Sequence, residues 1–260
     1  MTGASFDWLK LFDRYDLLAR IIPGALAPLV PTIALAVGAP RFITSDLKTL
    51  AGYSFISIAA MFVFAQSARA NGRRVQKRLT DRWGGMPTEL LLAWKDQTIE
   101  VTTKRAYHRA LQKLATDITL PDMEQESRDL SGALGLYRSA VRRLIEMRRG
   151  PTYRLILNDN IAYGFWRNML GMRPTALIAS LISSVMLLIF LHDGLTTFPN
   201  ALPSFFLTGV WVLFQCTVIG EKKVWDAGVA YAERLLSSLH LGPVPRRSRK
   251  KASELDAPTS

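Results

Sequence analysis

The stretch TALIASLISSVMLLIFL, residues 175–191, decides the fold. It contains no Asp, Glu, Lys, Arg or His, and it is bounded by Arg173 on one side and by His192 and Asp193 on the other. As an α-helix it covers ~26 Å, close to the roughly 30 Å of a bilayer's hydrocarbon core. Three more blocks share this character. They occupy 21–39, between Arg20 and Arg41; 49–68, ending at Arg69; and 202–220, ending at Glu221, Lys222 and Lys223. A soluble chain of 260 residues would need an outsized core to bury four such blocks. The sequence therefore predicts an all-α integral membrane protein with four transmembrane helices in two hairpins, 21–68 and 175–220.

The first block is unusual in holding Pro23, Pro28 and Pro31. Proline is tolerated in a spanning helix where neighbours satisfy the freed carbonyls, but the segment is open to kinking or to re-entry without crossing. Asp7, Asp13 and Asp16 precede it, and no small-residue cleavage site ends it, which argues against a cleaved signal peptide.

Charge sets the expected orientation. The chain has 33 Lys and Arg against 21 Asp and Glu, and 20 of the bases, with 11 acids, fall in 69–174 between the hairpins. Arg69, Arg73, Arg74, Lys77, Arg78 and Arg82 follow the second block, Arg167 and Arg173 precede the third, and Lys222 and Lys223 follow the fourth. The turn at 40–48 has Arg41 and Lys48; the turn at 192–201 has no Lys or Arg. Bases close to span ends mark the cytoplasmic side. The expected layout is a cytoplasmic N-terminal segment (1–20), a basic helical cytoplasmic domain (69–174), a cytoplasmic helix continuing helix 4 (221–240) and a disordered basic tail (241–260), in an inner or plasma membrane. The bilayer's anionic headgroups are the expected partner of these bases. Tyr163, Trp166 and Trp225 lie beside the blocks, where interfacial rings and ordinary core packing are equally good explanations.

Apolar periodicity organises the polar part. Val75, Leu79 and Trp83 extend the second block as a helical stalk, ended by Gly84, Gly85 and Pro87. The run 89–94 fits either a helix or a buried strand. A helix over 103–116 presents Tyr107, Leu111 and Leu114; one over 123–149 carries a short heptad seam of Leu130, Leu134, Tyr137, Val141 and Leu144, which calls for a helical partner from this chain or a second copy. Leu157, Ile161 and Phe165 lead into the third block, and Val224, Gly228, Tyr231, Leu235 and Leu239 carry the fourth inward.

Catalytic and cofactor signatures are lacking, and the expectation is a non-enzymatic protein with no cofactor. His108, His192 and His240 are not in metal-ligand spacing, the lone Cys216 allows neither an intramolecular disulfide nor a thiolate cluster, and there is no phosphate loop or nucleophile elbow. Glu124 and Glu126 open a helix, where they suit the dipole. An enzyme acting on lipid-linked substrates would have to draw on Asp159, Tyr163 or His108. No duplex nucleic-acid motif is present.

Three clusters remain. Arg138, Arg142, Arg143, Arg148 and Arg149 crowd one helix, and a groove between it and the helix of Tyr107, His108 and Arg109 would hold a phosphate-bearing small ligand or face headgroups. Ala176, Ser180, Ser183 and Ser184 form a small-residue strip suited to close helix packing or, in an oligomer, to lining a pore. Asn160, Tyr163, Arg167 and Asn168 share one face just before the third block and call for a hydrogen-bonding helix, for which the stalk after the second block is the natural choice.

This layout resembles that of small multi-pass proteins of the bacterial inner membrane in general, membrane effectors of bacterial defence among them. At the level of layout alone it implies a homo-oligomer whose cytoplasmic domain receives a signal and whose spans respond. A membrane scaffold or accessory subunit without gated activity is the alternative.

Overall fold

A computed structural model describes residues 14–39 and 47–240, with the backbone alone at 47–61 and 151. The segment 1–13, most of the 40–48 turn and the basic tail from 241 lie outside the described residues. Among the described residues every regular element is helical. The elements are α1 (Arg14–Gly38), α2 (Leu47–Trp83), α3 (Pro87–Leu90), α4 (Val101–Leu114), α5 (Met123–Arg128), α6 (Leu130–Met147), α7 (Arg154–His192), α8 (Phe198–Thr217) and α9 (Glu221–Ser237).

Two of these helices, α1 and α7, are long and apolar enough to cross a membrane, and a third crossing results if α8 and α9, which meet at a 60° bend, count as one broken span. The second apolar block lies in α2, in the part whose side chains are mostly outside the description.

The distribution of side chains in this part of the molecule is the reverse of a soluble core. Ile178, Leu181 and Ile182 of α7, Phe206 and Leu213 of α8 and Phe62 of α2 point outward, Phe206 with 73% of its surface free. The inward positions are small or polar: Ala27 and Ala34 of α1, Ala68 of α2, Ala176, Ser180 and Ser183 of α7, Ser204, Thr208 and Gln215 of α8. Hydrocarbon is as good a solvent for Leu as another Leu, so helices in lipid gain by approaching closely through small residues and by bonding polar ones to each other.

The prolines of α1 show how this is done. The helix runs through Pro23, Pro28 and Pro31 without a break, with a π-helical turn over Leu17–Ile21 just before the first of them. Pro23 has no N–H, so Ala19 O loses its usual donor four residues on; the Asn168 amide of α7 donates to it instead. Ser183 of α7 donates to Pro31 O at 2.9 Å, and Thr196 donates to Gly38 O at 2.6 Å.

The polar lobe is built by α3–α6, α9 and the stalk end of α2. Its core gathers Leu92, Tyr107, Leu111, Tyr137, Leu144 and Leu235. The heptad seam of α6 thus packs inside this chain, against α3 and α4 and in one core with Leu235 of α9, while Leu130 at its start stays exposed. The run 89–94 is one helical turn followed by tight turns.

Two expectations of continuity fail for local reasons. The helix expected over 123–149 breaks at Asp129, whose extended backbone (φ −143°, ψ 84°) frees its carboxylate to accept from Gly132 N–H as the cap of α6. The fourth block does not run straight inward, because Gly220 is extended (φ −151°, ψ 168°) and starts α9 afresh.

A buried network fixes the turns after α3. Lys104, 1% exposed, donates through Nζ to Ala93 O at 2.6 Å and to Asp96 O. His108 Nε2 donates to Leu92 O at 2.8 Å, and its ring packs on Trp94 and Tyr137. Burial lowers the His108 pKa from its ordinary 6.5. Below pH 6.5 the unfolded chain then binds more protons than the folded one. The stabilisation is full above pH 6.5 and falls as pH drops toward the depressed folded value. Melting temperatures between pH 7.5 and 5 are expected to decline in the wild type and to decline less in His108→Gln; equal slopes would remove His108 from the account.

Candidate anion-binding cleft

The two longest helices, α2 and α7, cross where they leave the apolar part of the molecule. At the crossing Gly171 lies against the backbone of α2: a Cβ there would sit 2.8 Å from Asn71 C and Gly72 N. A Cβ on Gly72 would collide with the Asn168 side chain. Asn168 is fully buried, spanning from Ala19 O to Arg167, whose Nε donates to Asn168 Oδ1 at 3.2 Å.

Arg167 is 8% exposed. Its remaining partners are neutral: Nη1 donates to Gln76 Oε1 of the stalk, and the guanidinium lies over the Tyr163 ring, 5.7 Å from its centre. Among the described residues no carboxylate pairs with it. A buried, unpaired cation is costly, and a protein keeps one where something offsets the cost.

Beyond the crossing, side chains of α2, α6 and α7 line a common space, with Met86, Thr88 and Glu89 at its edge. The result is a cleft of about 760 Å³. Its basic lining is Arg73 and Lys77 of α2, Arg138 and Arg142 of α6 and Arg167 of α7; its acids are Asp81 and Glu89. Glu89 is already committed: it is buried and accepts both Arg138 Nε (2.8 Å) and Arg138 Nη2 (3.0 Å), a fork that raises the Arg138 pKa above its usual value. Arg73, Lys77 and Arg142 have no carboxylate partner among the described residues. Three donors converge on one thioether here, Thr80 Oγ1 (3.1 Å), Gln76 Nε2 (3.7 Å) and Tyr163 OH (3.8 Å) on Met86 Sδ. Sulfur is a weak acceptor, so these donors are held loosely.

The arginines expected to act together on one helix are split. Arg138 and Arg142 line the cleft. Arg143 turns away to Asp117, 2.7 Å. Arg148 is buried and bolts the end of α6 to the end of α9, through Ser238 Oγ and O (both 3.2 Å) and Tyr153 OH (3.1 Å). Arg149 opens on a neighbouring cavity of about 470 Å³ that shares Asn160 and Tyr231 with the cleft. Tyr107 faces the core of the lobe, and His108 and Arg109 line a separate cavity of about 480 Å³ with Trp94, Thr102 and Arg105, which the arginines of α6 do not share.

Of the polar face before the third block, Arg167 and Asn168 meet the stalk through Gln76 and Gly72, Tyr163 is buried in the packing between α7 and α9, and Asn160 reaches the cleft. Ala176, Ser180 and Ser183 are buried within the chain, and Ser180 and Ser184 return their hydroxyls to carbonyls of their own helix. Glu126 sits in the first turn of α5, as expected, but does more than complement the helix dipole. It is buried under the 91–96 turns and accepts from Trp94 N, Lys95 N and Tyr137 OH, whereas Glu124 stays exposed and pairs with Arg128.

Asp159, Tyr163 and His108 go to three different partners, Arg234, Met86 and Leu92 O. Among the described residues no three His, Cys, Asp or Glu side chains are placed to hold a metal ion. Comparison with protein-family models, with curated proteins and with solved structures finds no match to this chain.

Proposed function

We propose that this chain is a four-span protein of an inner (plasma) membrane, with two hairpins and cytoplasmic termini, and that it works as a homo-oligomeric, signal-responsive membrane effector or pore. One observation carries the reading. Both α2 and α7 pass unbroken from the apolar part into the polar lobe, meet there backbone to backbone, and together line a basic cleft. A charge bound in the cleft acts on both helices at once, and rigid helices transmit the displacement to the apolar part. The bent junction at Gly220 leaves α9 less suited to that task than a straight continuation. The orientation rests on Arg69, Arg73, Arg173, Lys222 and Lys223, which flank the apolar blocks on the sides that adjoin 69–174 and 221–240.

A scaffold without gated activity is favoured by a different observation: the strip of Ala176, Ser180 and Ser183 is filled by this chain's own helices. Conduction therefore needs contacts between copies or an opened bundle.

Light scattering of the detergent-purified protein and dye release from anionic liposomes separate the two. A defined oligomer that releases dye when pyrophosphate is added supports the effector. A protein that releases none under any added anion is a scaffold.

A further inference from the structure

We infer that the cleft between α2, α6 and α7 binds the phosphoryl group of a soluble organic phosphate, with Arg167 as its buried anchor; this rests on the reading above and gives the signal its chemistry.

The first argument is charge. Among the described residues the partners of buried Arg167 are neutral, and Arg73, Lys77 and Arg142 around it have no carboxylate partner. Bases arriving from three helices suit a tetrahedral group with several terminal oxygens and up to two negative charges. A planar carboxylate is satisfied by a single guanidinium fork, as Glu89 is by Arg138 on the far wall.

The second argument is ease of exchange. Gln76 Oε1 holds Arg167 Nη1 as a neutral placeholder, while Gln76 Nε2 and the Thr80 and Tyr163 hydroxyls rest on Met86 Sδ. A phosphoryl oxygen is a far better acceptor than a thioether, so these donors lose little in turning to it.

The third is size and position. About 760 Å³ is too large for inorganic phosphate alone, and Val141, Ile145 and Tyr231 offer an apolar wall for a ligand body. Along the helix Arg167 precedes residue 175 by roughly 12 Å, and Lys77 follows residue 68 by about 13 Å. A headgroup layer reaches only ~5–8 Å beyond the hydrocarbon. With α7 along the bilayer normal, Arg167 lies at the outer edge of the headgroup layer, which favours a soluble source.

Titration calorimetry on the full chain tests this, with pyrophosphate and inorganic phosphate as probes and the protein in phosphatidylcholine nanodiscs with or without phosphatidic acid. Pyrophosphate is expected to bind in the micromolar range, more tightly than phosphate, and less tightly as salt rises. Arg167→Gln is expected to weaken it by about 10- to 100-fold. Arg167→Lys keeps the charge without the fork and is expected to fall between. Lys77→Ala and Arg142→Ala, on the accessible rim, are expected to weaken binding severalfold and serve if Arg167 variants do not fold; Arg143→Gln, turned to Asp117, is expected to change nothing. Absence of pyrophosphate binding, or equal binding by wild type and the cleft variants, overturns the site. Occupancy of the cleft by phosphatidic acid, seen as loss of pyrophosphate binding in those nanodiscs, overturns the soluble source and assigns a headgroup. Binding without dye release leaves the site standing and overturns the effector reading alone.

Discussion

Gly171→Leu is expected to lower the melting temperature of the purified protein by roughly 6–12 °C, corresponding to about 3 kcal/mol. The reason is what stands opposite. At most crowded positions a new side chain displaces the tip of another side chain, and the neighbour turns aside. Here the nearest atoms are the backbone of Asn71 and Gly72, 2.8 Å from the position a Cβ would take. Backbone inside a helix has no alternative rotamer, so α2 and α7 must move apart. Separation opens the seam in which Asn168 holds Ala19 O and Arg167, leaving a proline-freed carbonyl without a donor. Even Gly171→Ala is expected to be destabilising, the opposite of the usual gain from Gly→Ala in a helix interior. Gly209→Leu is the control: nothing lies within 4 Å of its Cβ, and a change of no more than about 2 °C is expected. A neutral Gly171→Ala would mean that the two helices do not cross in contact, and the mechanical coupling proposed between cleft and spans would go with it.

The contrast between those glycines marks the boundary of what can be read without coordinates. Block length and the absence of charge depend on composition alone, and they point to α1 and α7 directly. The inner face of the apolar part is harder. Ser204, Thr208 and Gln215 are buried while Phe206 and Leu213 are exposed, and a pattern in which polarity points inward is recognisable only when lipid is considered as the solvent. The break at Asp129 was legible in principle, since Asp is a good helix cap, but the apolar seam through Leu134 and Tyr137 ran past it and suggested one helix. The bend at Gly220 was hidden in the same way by apolar spacing on both sides.

The cleft was half visible. Arg138, Arg142, Arg167 and Asn160 were singled out by density of charge and by helical facing, but in separate groups. Arg73 and Lys77 read as topology signals, although they share one face of the stalk with Gln76 and Thr80, opposite Val75 and Leu79. What no spacing rule provides is which helix closes on which: the seam of α6 packs on α4 while Arg138 and Arg142 on its other side share the cleft with the stalk, and its other arginines are taken by Asp117 and Ser238. Nothing in the spacing around Lys104 sets it apart from the other bases. Its burial depends on Ala93 and Asp96 carbonyls that only the turns after α3 bring to it.

Glu126→Ala is expected to destabilise the polar lobe by on the order of 4 kcal/mol, far beyond the loss of a helix-terminal charge. Its carboxylate accepts from Trp94 N (2.9 Å), Lys95 N (3.0 Å) and Tyr137 OH (2.7 Å), and the Tyr137 ring is completely buried. Burial, and then the Glu126 carboxylate, keeps that phenol protonated far above the ordinary tyrosine pKa, so the hydroxyl remains a donor at any working pH. Alanine strands all three donors in a site where each unmade bond costs about 1–3 kcal/mol. It also removes one of the two acids, after Asp96, whose charge favours the ammonium of Lys104 against the desolvation that lowers its pKa. Glu126→Gln keeps an acceptor and is expected to cost about half as much, while Tyr137→Phe alone should cost about 1 kcal/mol. Because Tyr137→Phe removes one stranded donor, the double variant Glu126→Ala with Tyr137→Phe is expected to be less destabilised than the sum of the two. Hydrogen exchange should locate the effect in 91–96 and α4. Glu124→Ala is the comparison, since Glu124 sits on the same short helix, exposed and paired only with Arg128; about 0.5 kcal/mol is expected there. Equal, small losses at both positions would return Glu126 to the role of a dipole cap, and the turns after α3 would then have to be held by Lys104 and His108 alone.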